Sequence, residues 1–136
     1  MRDNGLTRAK RRDIYAVYKR GLEEGRFTSI RSASEWISRQ PAPCFYISPE
    51  AAYKYIGWVR AKRSLVNFNA SQRRMIRRLY SDYNKYLSEH PDTKRSCIDI
   101  MDELVQRPAP EFYMSPGSIK VVLHEEIAKV KKRWQE

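Results

Sequence analysis

Gln40-Pro41-Ala42-Pro43-Cys44-Phe45-Tyr46-Ile47-Ser48-Pro49 returns as Arg107-Pro108-Ala109-Pro110-Glu111-Phe112-Tyr113-Met114-Ser115-Pro116. Counting from Pro41 to Pro108, the copies lie 67 positions apart. Each joins two stretches of helical periodicity, so each copy belongs to one supersecondary unit of an internal repeat. Three prolines and two aromatics stiffen the phrase, which predicts a fixed geometry of helix, extended turn and helix.

Upstream, Ile14, Val17, Tyr18 and Leu22 recur at three- and four-residue spacing, predicting a helix from Thr7 to about Leu22. Thr7 is the expected N-cap and Gly25 the expected stop. A second helix is expected from about Ser29 to Gln40, ended by Pro41 and Pro43, which restrict the residues before them. Cys44-Phe45-Tyr46-Ile47 is aromatic and β-prone and predicts an extended connector, with Phe45 plugging the core. Ser48 then caps a third helix with Pro49 at its first position, and Ala52, Tyr55, Ile56 and Val59 share one face.

The second half repeats this order. Leu79, Tyr80, Tyr83 and Leu87 echo Ile14, Tyr15, Tyr18 and Leu22, and Ile119, Val122 and Leu123 fill the places of Ala52, Tyr55 and Ile56. A continuing stripe of Ile127, Val130 and Trp134 predicts a longer last helix. The expected fold is all-α: two tandem trihelical, helix-turn-helix-like repeats, residues 1–68 and 69–136, with Asn67 to Ser71 as the boundary.

Composition narrows the function. The 136 residues carry 27 Lys plus Arg against 16 Asp plus Glu, a net charge of +11, and a polyanionic partner is the simplest use of such a surplus. Divided at Phe68, the halves carry +8 (14 against 6) and +3 (13 against 10), pointing to the first repeat as the main anchor. Cys44 and Cys97 form no paired motif, and His90 and His124 stand alone, so neither a metal site nor a cofactor is expected. No apolar run approaches a membrane span, and Met1 to Gly5 lead into charged residues without a signal segment. The expected setting is the cytoplasm, or a virion if the protein is an assembly component.

Several clusters are candidate nucleic-acid contacts. Arg8, Lys10, Arg11 and Arg12 open the first helix, and Arg73, Arg74, Arg77 and Arg78 open the fourth. Both groups sit toward the positive end of a helix dipole, where cations do not serve stability, so phosphate contact is the better account. Arg60 to Arg63 and Lys129 to Arg133 lie at helix C-termini and are explained there by the dipole. If the third helix of each repeat enters a groove, Tyr53 and Lys54 lead the first and Ser118 and Lys120 the second, with Glu50 a repulsive neighbour. Asp99, Asp102 and Glu103 share a helix face, which reads as a solvated acidic surface. No glycine-rich phosphate loop, nucleophile elbow or His–carboxylate pair is present, and no enzymatic activity is expected.

The Pro-Ala-x-x-Phe-Tyr-x-Ser-Pro phrase resembles the connector of small basic helix-turn-helix-like proteins of unassigned function in bacteria and phages. The resemblance covers the connector and its flanking helices, and implies a phage or mobile-element setting without an activity. Two trihelical units in tandem also look like Myb-type or homeodomain-like arrays, but Trp36, Trp58 and Trp134 lack the regular Myb spacing. The leading expectation is a non-enzymatic double-stranded DNA-binding protein. The alternative is a phage structural or assembly protein whose helical repeats pack against a protein partner.

Overall fold

The computed structural model describes residues 4–135. It is all-α, with helices α1 (Asn4–Glu23), α2 (Ile30–Ser38), α3 (Pro49–Arg60), α4 (Ala70–Glu89), α5 (Cys97–Val105) and α6 (Pro116–Gln135). Polar side chains at the starts determine most of these bounds. Ser29 and Ser32 form a capping box on α2, and Asn69 and Gln72 another on α4. Ser48, Ser96 and Ser115 accept from the amides of Ala51, Asp99 and Ser118. Thr7 is not the N-cap of α1 but lies inside it.

The ends follow local rules as well. Gly25 has φ +68°, and the Arg26 amide donates to the Gly21 carbonyl, closing α1 with a left-handed cap. α3 ends the same way with a side chain in the special position: Lys62 has φ 57°, and the Arg63 amide reaches the Trp58 carbonyl.

The helices pack as two compact units, and their membership departs from the expected boundary at residue 68. One unit runs up to Ala42 and resumes at Ala109; the other is the continuous stretch Pro43–Pro108. In the first, α1, α2 and α6 pack on one another; in the second, α3, α4 and α5 do so. Each trio therefore takes its third helix from the other repeat. The correction has a physical basis. Ala52 and Ile56 on α3, and Ile119 and Leu123 on α6, are all fully buried and present equivalent apolar faces. Periodicity shows that such a face must be covered, not by which helices.

In the first unit Ile14, Ala33, Ile37, Phe112, Ile119 and Leu123 form the core. Tyr18, Phe27 and Trp36 tie α1 to α2 in a ladder with ring centroids 5.5 and 5.8 Å apart. In the second unit Phe45, Ile56, Ile76, Leu79, Ile100 and Leu104 are buried together. The expected boundary segment belongs to this unit's framework. Phe68 packs edge-on to Tyr55 and Trp58 at 5.5 and 5.8 Å, and Arg73 donates to the Phe68 carbonyl at 2.6 Å.

The repeated phrase is not simply extended. Tyr46 and Tyr113, its equivalent residues, have φ 56° and 55°. A non-glycine residue in this region costs on the order of 1–3 kcal/mol. Burying an aromatic ring offsets that, since Tyr113 is only 8% exposed, and a fully buried large side chain contributes about 1.5–3 kcal/mol. Phe45 and its repeat equivalent Phe112 are buried in their respective cores, as expected for Phe45.

Candidate nucleic-acid interface

Packing distributes the charge evenly. Counted over its residues, the unit built from α1, α2 and α6 carries 15 Lys and Arg against nine Asp and Glu, or +6. The unit built from α3, α4 and α5 carries 12 against seven, or +5. The imbalance of +8 and +3 belonged to the linear halves and vanishes with the exchange of helices.

In the first unit the predicted cations divide by role. Arg8 and Arg12 are exposed on α1, one turn apart, and the first turn of α1 holds no acid. Arg12 is 74% exposed and, among the described residues, meets only the adjacent Asp13, at 3.3 Å. Lys10 is half-buried. Arg11 turns the other way. Its guanidinium hydrogen-bonds Glu125 and also reaches Glu126 at 3.3 Å, joining α1 to α6. The hydrogen bond to Glu125 raises the Arg11 pKa against the opposing effect of burial, with Glu126 adding to the rise. Arg11 is therefore a structural cation. The periodicity hint was present, because Arg11 lies three residues before Ile14, but its acids are more than a hundred positions away.

At the start of α6, Ser118 and Lys120 are exposed, and Ser118 accepts from the Ser115 hydroxyl. Lys120 lines an opening of about 300 Å³ with Arg31, Ser34, Glu35, Pro116 and Gly117. Arg31 escaped the sequence reading, since only the exchange of third helices brings α2 beside α6. Ser34 is satisfied within α2, its hydroxyl donating to the Ile30 carbonyl at 2.8 Å. The same positions in the second unit, 67 residues away, hold Ile98 for Arg31, Met101 for Ser34, Glu50 for Gly117 and Tyr53 for Lys120. The opening beside the third helix, where Arg31 pairs with Glu35 at 3.7 Å and Lys120 is exposed, is thus a property of the first unit.

In the second unit Tyr53 and Lys54 are exposed on α3, with Tyr53 at 50%. On α4, Arg77 is exposed and has no hydrogen-bond or ion-pair partner among the described residues. Arg78 pairs with Asp82 at 2.9 Å, an i,i+4 contact of small energetic weight at the surface. Arg74 is exposed and lies 3.3 Å from the Ser71 hydroxyl. Arg73 is half-buried and donates to the Phe68 carbonyl, which ties its guanidinium to the loop before α4.

Other cations were assigned by sequence to helix ends but meet aromatics. Arg60 donates to the Tyr83 hydroxyl at 2.7 Å and lies 4.8 Å from its ring centroid, while Arg63 lies 4.0 Å over Trp58. Burial lifts the Tyr83 phenol above its ordinary range, and a hydrogen bond with Cys97 adds to this against the pull of Arg60. The acidic face on α5 is also committed. Glu103 pairs with both Arg95 and Arg107, and hydrogen bonding to Arg95 is the main cause holding its carboxyl below the usual range. Among the described residues, no three His, Cys, Asp or Glu side chains converge as a metal site. Among the described residues, no helix is long and apolar enough to cross a membrane.

No protein-family model matches this chain, and no curated protein or solved structure matches it.

Proposed function

We propose that this protein is a non-enzymatic double-stranded DNA-binding protein that holds phosphates with cations from two helix-turn-helix-like trihelical units. The observation that carries the reading is the placement of Arg12 and Arg77. They are equivalent in the repeat, being separated by the same 65 positions as Ile14 and Leu79, and both are exposed on the first helix of their unit. Neither α1 nor α4 has an acid in its first turn. Each lies more than a turn inside its helix, where the dipole neither favours nor opposes a cation, and each is exposed to meet a phosphate.

Arg8, Arg74, Lys54 and Lys120 extend the surface on their own units, and the helices beginning at Ser48 and Ser115 lie in or along a groove. The two units have nearly equal surplus charge, so each can hold the polyanion, and tethering them raises avidity without a new contact. A regulator or genome-handling protein of a bacterium or phage, working in the cytoplasm, fits this chemistry. A second reading, an assembly protein that packs on other proteins, is favoured by α6, where Val121 and Trp134 are 57% and 86% exposed.

Anisotropy titration of a labelled random-sequence duplex over a salt series tests the proposal. Affinity should fall linearly in log–log form, with a slope of about −0.9 per phosphate neutralised. The pair Arg12→Ala and Arg77→Ala should flatten that slope by roughly 2. A duplex that fails to bind at low salt, or that binds no better than polyglutamate competes, sinks the reading in favour of assembly.

A further inference from the structure

A groove of about 320 Å³ runs between α1 and the C-terminal half of α6, entirely inside the first unit. Its floor is apolar, made by Tyr15, Ala16 and Val130, and its rim is cationic, made by Arg12, Lys19 and Arg133. Lys19 lies over the Tyr15 ring, with its ammonium 5.2 Å from the centroid. The acid lining the groove, Glu126, is neutralised from both sides by Lys129 at 2.9 Å and Arg11 at 3.3 Å. The opening therefore presents a positive border around an uncharged centre.

We propose that this groove docks an acidic amphipathic helix of a partner protein. The rim calls for an anion, and the floor separates the possible anions. A nucleic-acid backbone would satisfy Arg12, Lys19 and Arg133 but leave the apolar floor without a complement. A helix with Asp or Glu flanking one or two large apolar side chains uses both features, seating the apolar residues on Val130 and Ala16 against the Tyr15 ring. From Arg12 to Lys19 the wall is two turns long, about 10 Å, which matches two turns of a partner helix.

The groove has no counterpart to explain it as part of the shared repeat. α6 is 20 residues long and α3 only 12. The chain after α3 turns away through Lys62 at φ 57°, so the wall that Val130 and Arg133 supply in the first unit is missing in the second. Polyanion binding by both units does not account for a feature that one unit alone possesses. A groove this small buries little area, so the association is of the weak, exchangeable kind.

The test uses the whole chain and a labelled helical peptide of roughly 15 residues, with Glu on its flanks and Leu at i, i+3 and i+4. Anisotropy should report micromolar binding, at least tenfold tighter than that of the same peptide with its Leu replaced by Ser. Val130→Ser and, separately, Lys19→Gln should weaken peptide binding by roughly tenfold while leaving duplex affinity within about twofold; circular dichroism melts confirm that they fold. Equal binding by the Ser peptide would reduce the groove to general polyanion attraction and overturn the proposal. So would absence of peptide binding, or a loss of duplex affinity in the groove variants matching the loss for peptide, which would make the groove part of the nucleic-acid path. Peptide binding with no duplex binding at any salt would sustain the groove and refute the DNA reading, so the two fail separately.

Discussion

The Ala42 amide donates to the Ala109 carbonyl at 2.9 Å, and the Ala109 amide returns the bond to the Ala42 carbonyl at 2.9 Å. The two residues are the same position of the repeated phrase, and each is 2% exposed. The chain leaves the first unit immediately after Ala42 and re-enters it at Ala109. The phrase is therefore where the repeats trade third helices, and the alanine pair satisfies the backbone polar groups buried at that point. A larger side chain at either alanine would disturb a site closed on both strands.

The exchange predicts which pieces of the chain fold. Residues 43–108 contain α3, α4 and α5 in one continuous segment with its own core. That fragment should be helical and melt cooperatively, with an enthalpy of roughly 45 kcal/mol for its length. Residues 1–68, one whole sequence repeat, lack α6 as the cover for α1 and α2 and should melt without a cooperative transition or self-associate. Circular dichroism melts with sedimentation of both fragments make the comparison. A monomeric, cooperatively melting 1–68 with an unfolded 43–108 would contradict the exchange.

Gly21 is a packing glycine. A methyl group there would collide with the Phe27 ring and stand 2.9 Å from Trp36 Cζ3. Alanine gains about 1 kcal/mol of helix propensity, but overpacking costs roughly 1–3 kcal/mol. Gly21→Ala should therefore lower stability by about 1 kcal/mol, with Tm down by roughly 3–6 °C and a shifted Trp36 emission. A rise in Tm would show that the Tyr18–Phe27–Trp36 ladder yields freely.

The Arg11 cluster sets a pH dependence. Burial pushes the Glu126 carboxyl up, but Lys129 and Arg11 together hold it below its ordinary value. A carboxyl lowered by folding contributes stability above its unfolded pKa, about 4.3, and loses it as pH falls through the folded value. Arg11→Ala should cost roughly 1 kcal/mol at neutral pH, with the gap to the parent closing near pH 3. Urea denaturation at the two pH values checks this. An unchanged gap would mean that Arg11 acts through packing of its stem.

Two neighbouring arginines on α4 should separate stability from binding. Arg73 donates to the Phe68 carbonyl, so Arg73→Ala should cost about 1–2 kcal/mol of stability and little duplex affinity. Arg77 is exposed without a partner among the described residues, so Arg77→Ala should spare stability and flatten the salt slope by about 0.9. Thermal melts and salt titrations of both variants decide; the reverse pattern would move the contact surface off α4.

Much of the candidate surface was legible as residue type but not as role. Arg8, Arg12, Arg74 and Arg77 are exposed cations, as the clusters suggest. Arg11 and Arg73 stand among them in sequence yet are committed to Glu125 and Glu126, and to the Phe68 carbonyl. Charge spacing does not register a carbonyl or a distant carboxylate. Trp134 continues an apolar stripe beyond Val130 but remains 86% exposed, because a periodic pattern does not say where the neighbouring helices end.

The amino-acid sequence determined what a few neighbouring residues can settle among themselves. The helices of the described residues, their serine and asparagine caps and the left-handed stop at Gly25 depend on bonds and sterics within a turn or two. The tertiary structure alone decided partnership. α3 and α6 carry similarly patterned apolar faces, so local pattern leaves their destinations degenerate. The left-handed tyrosines of the connectors and the Ala42–Ala109 pair accompany the exchanged arrangement, and those long-range relations have no signature in periodicity. With the exchange came the even division of charge, the meeting of Arg31 with Lys120, and the groove between α1 and α6.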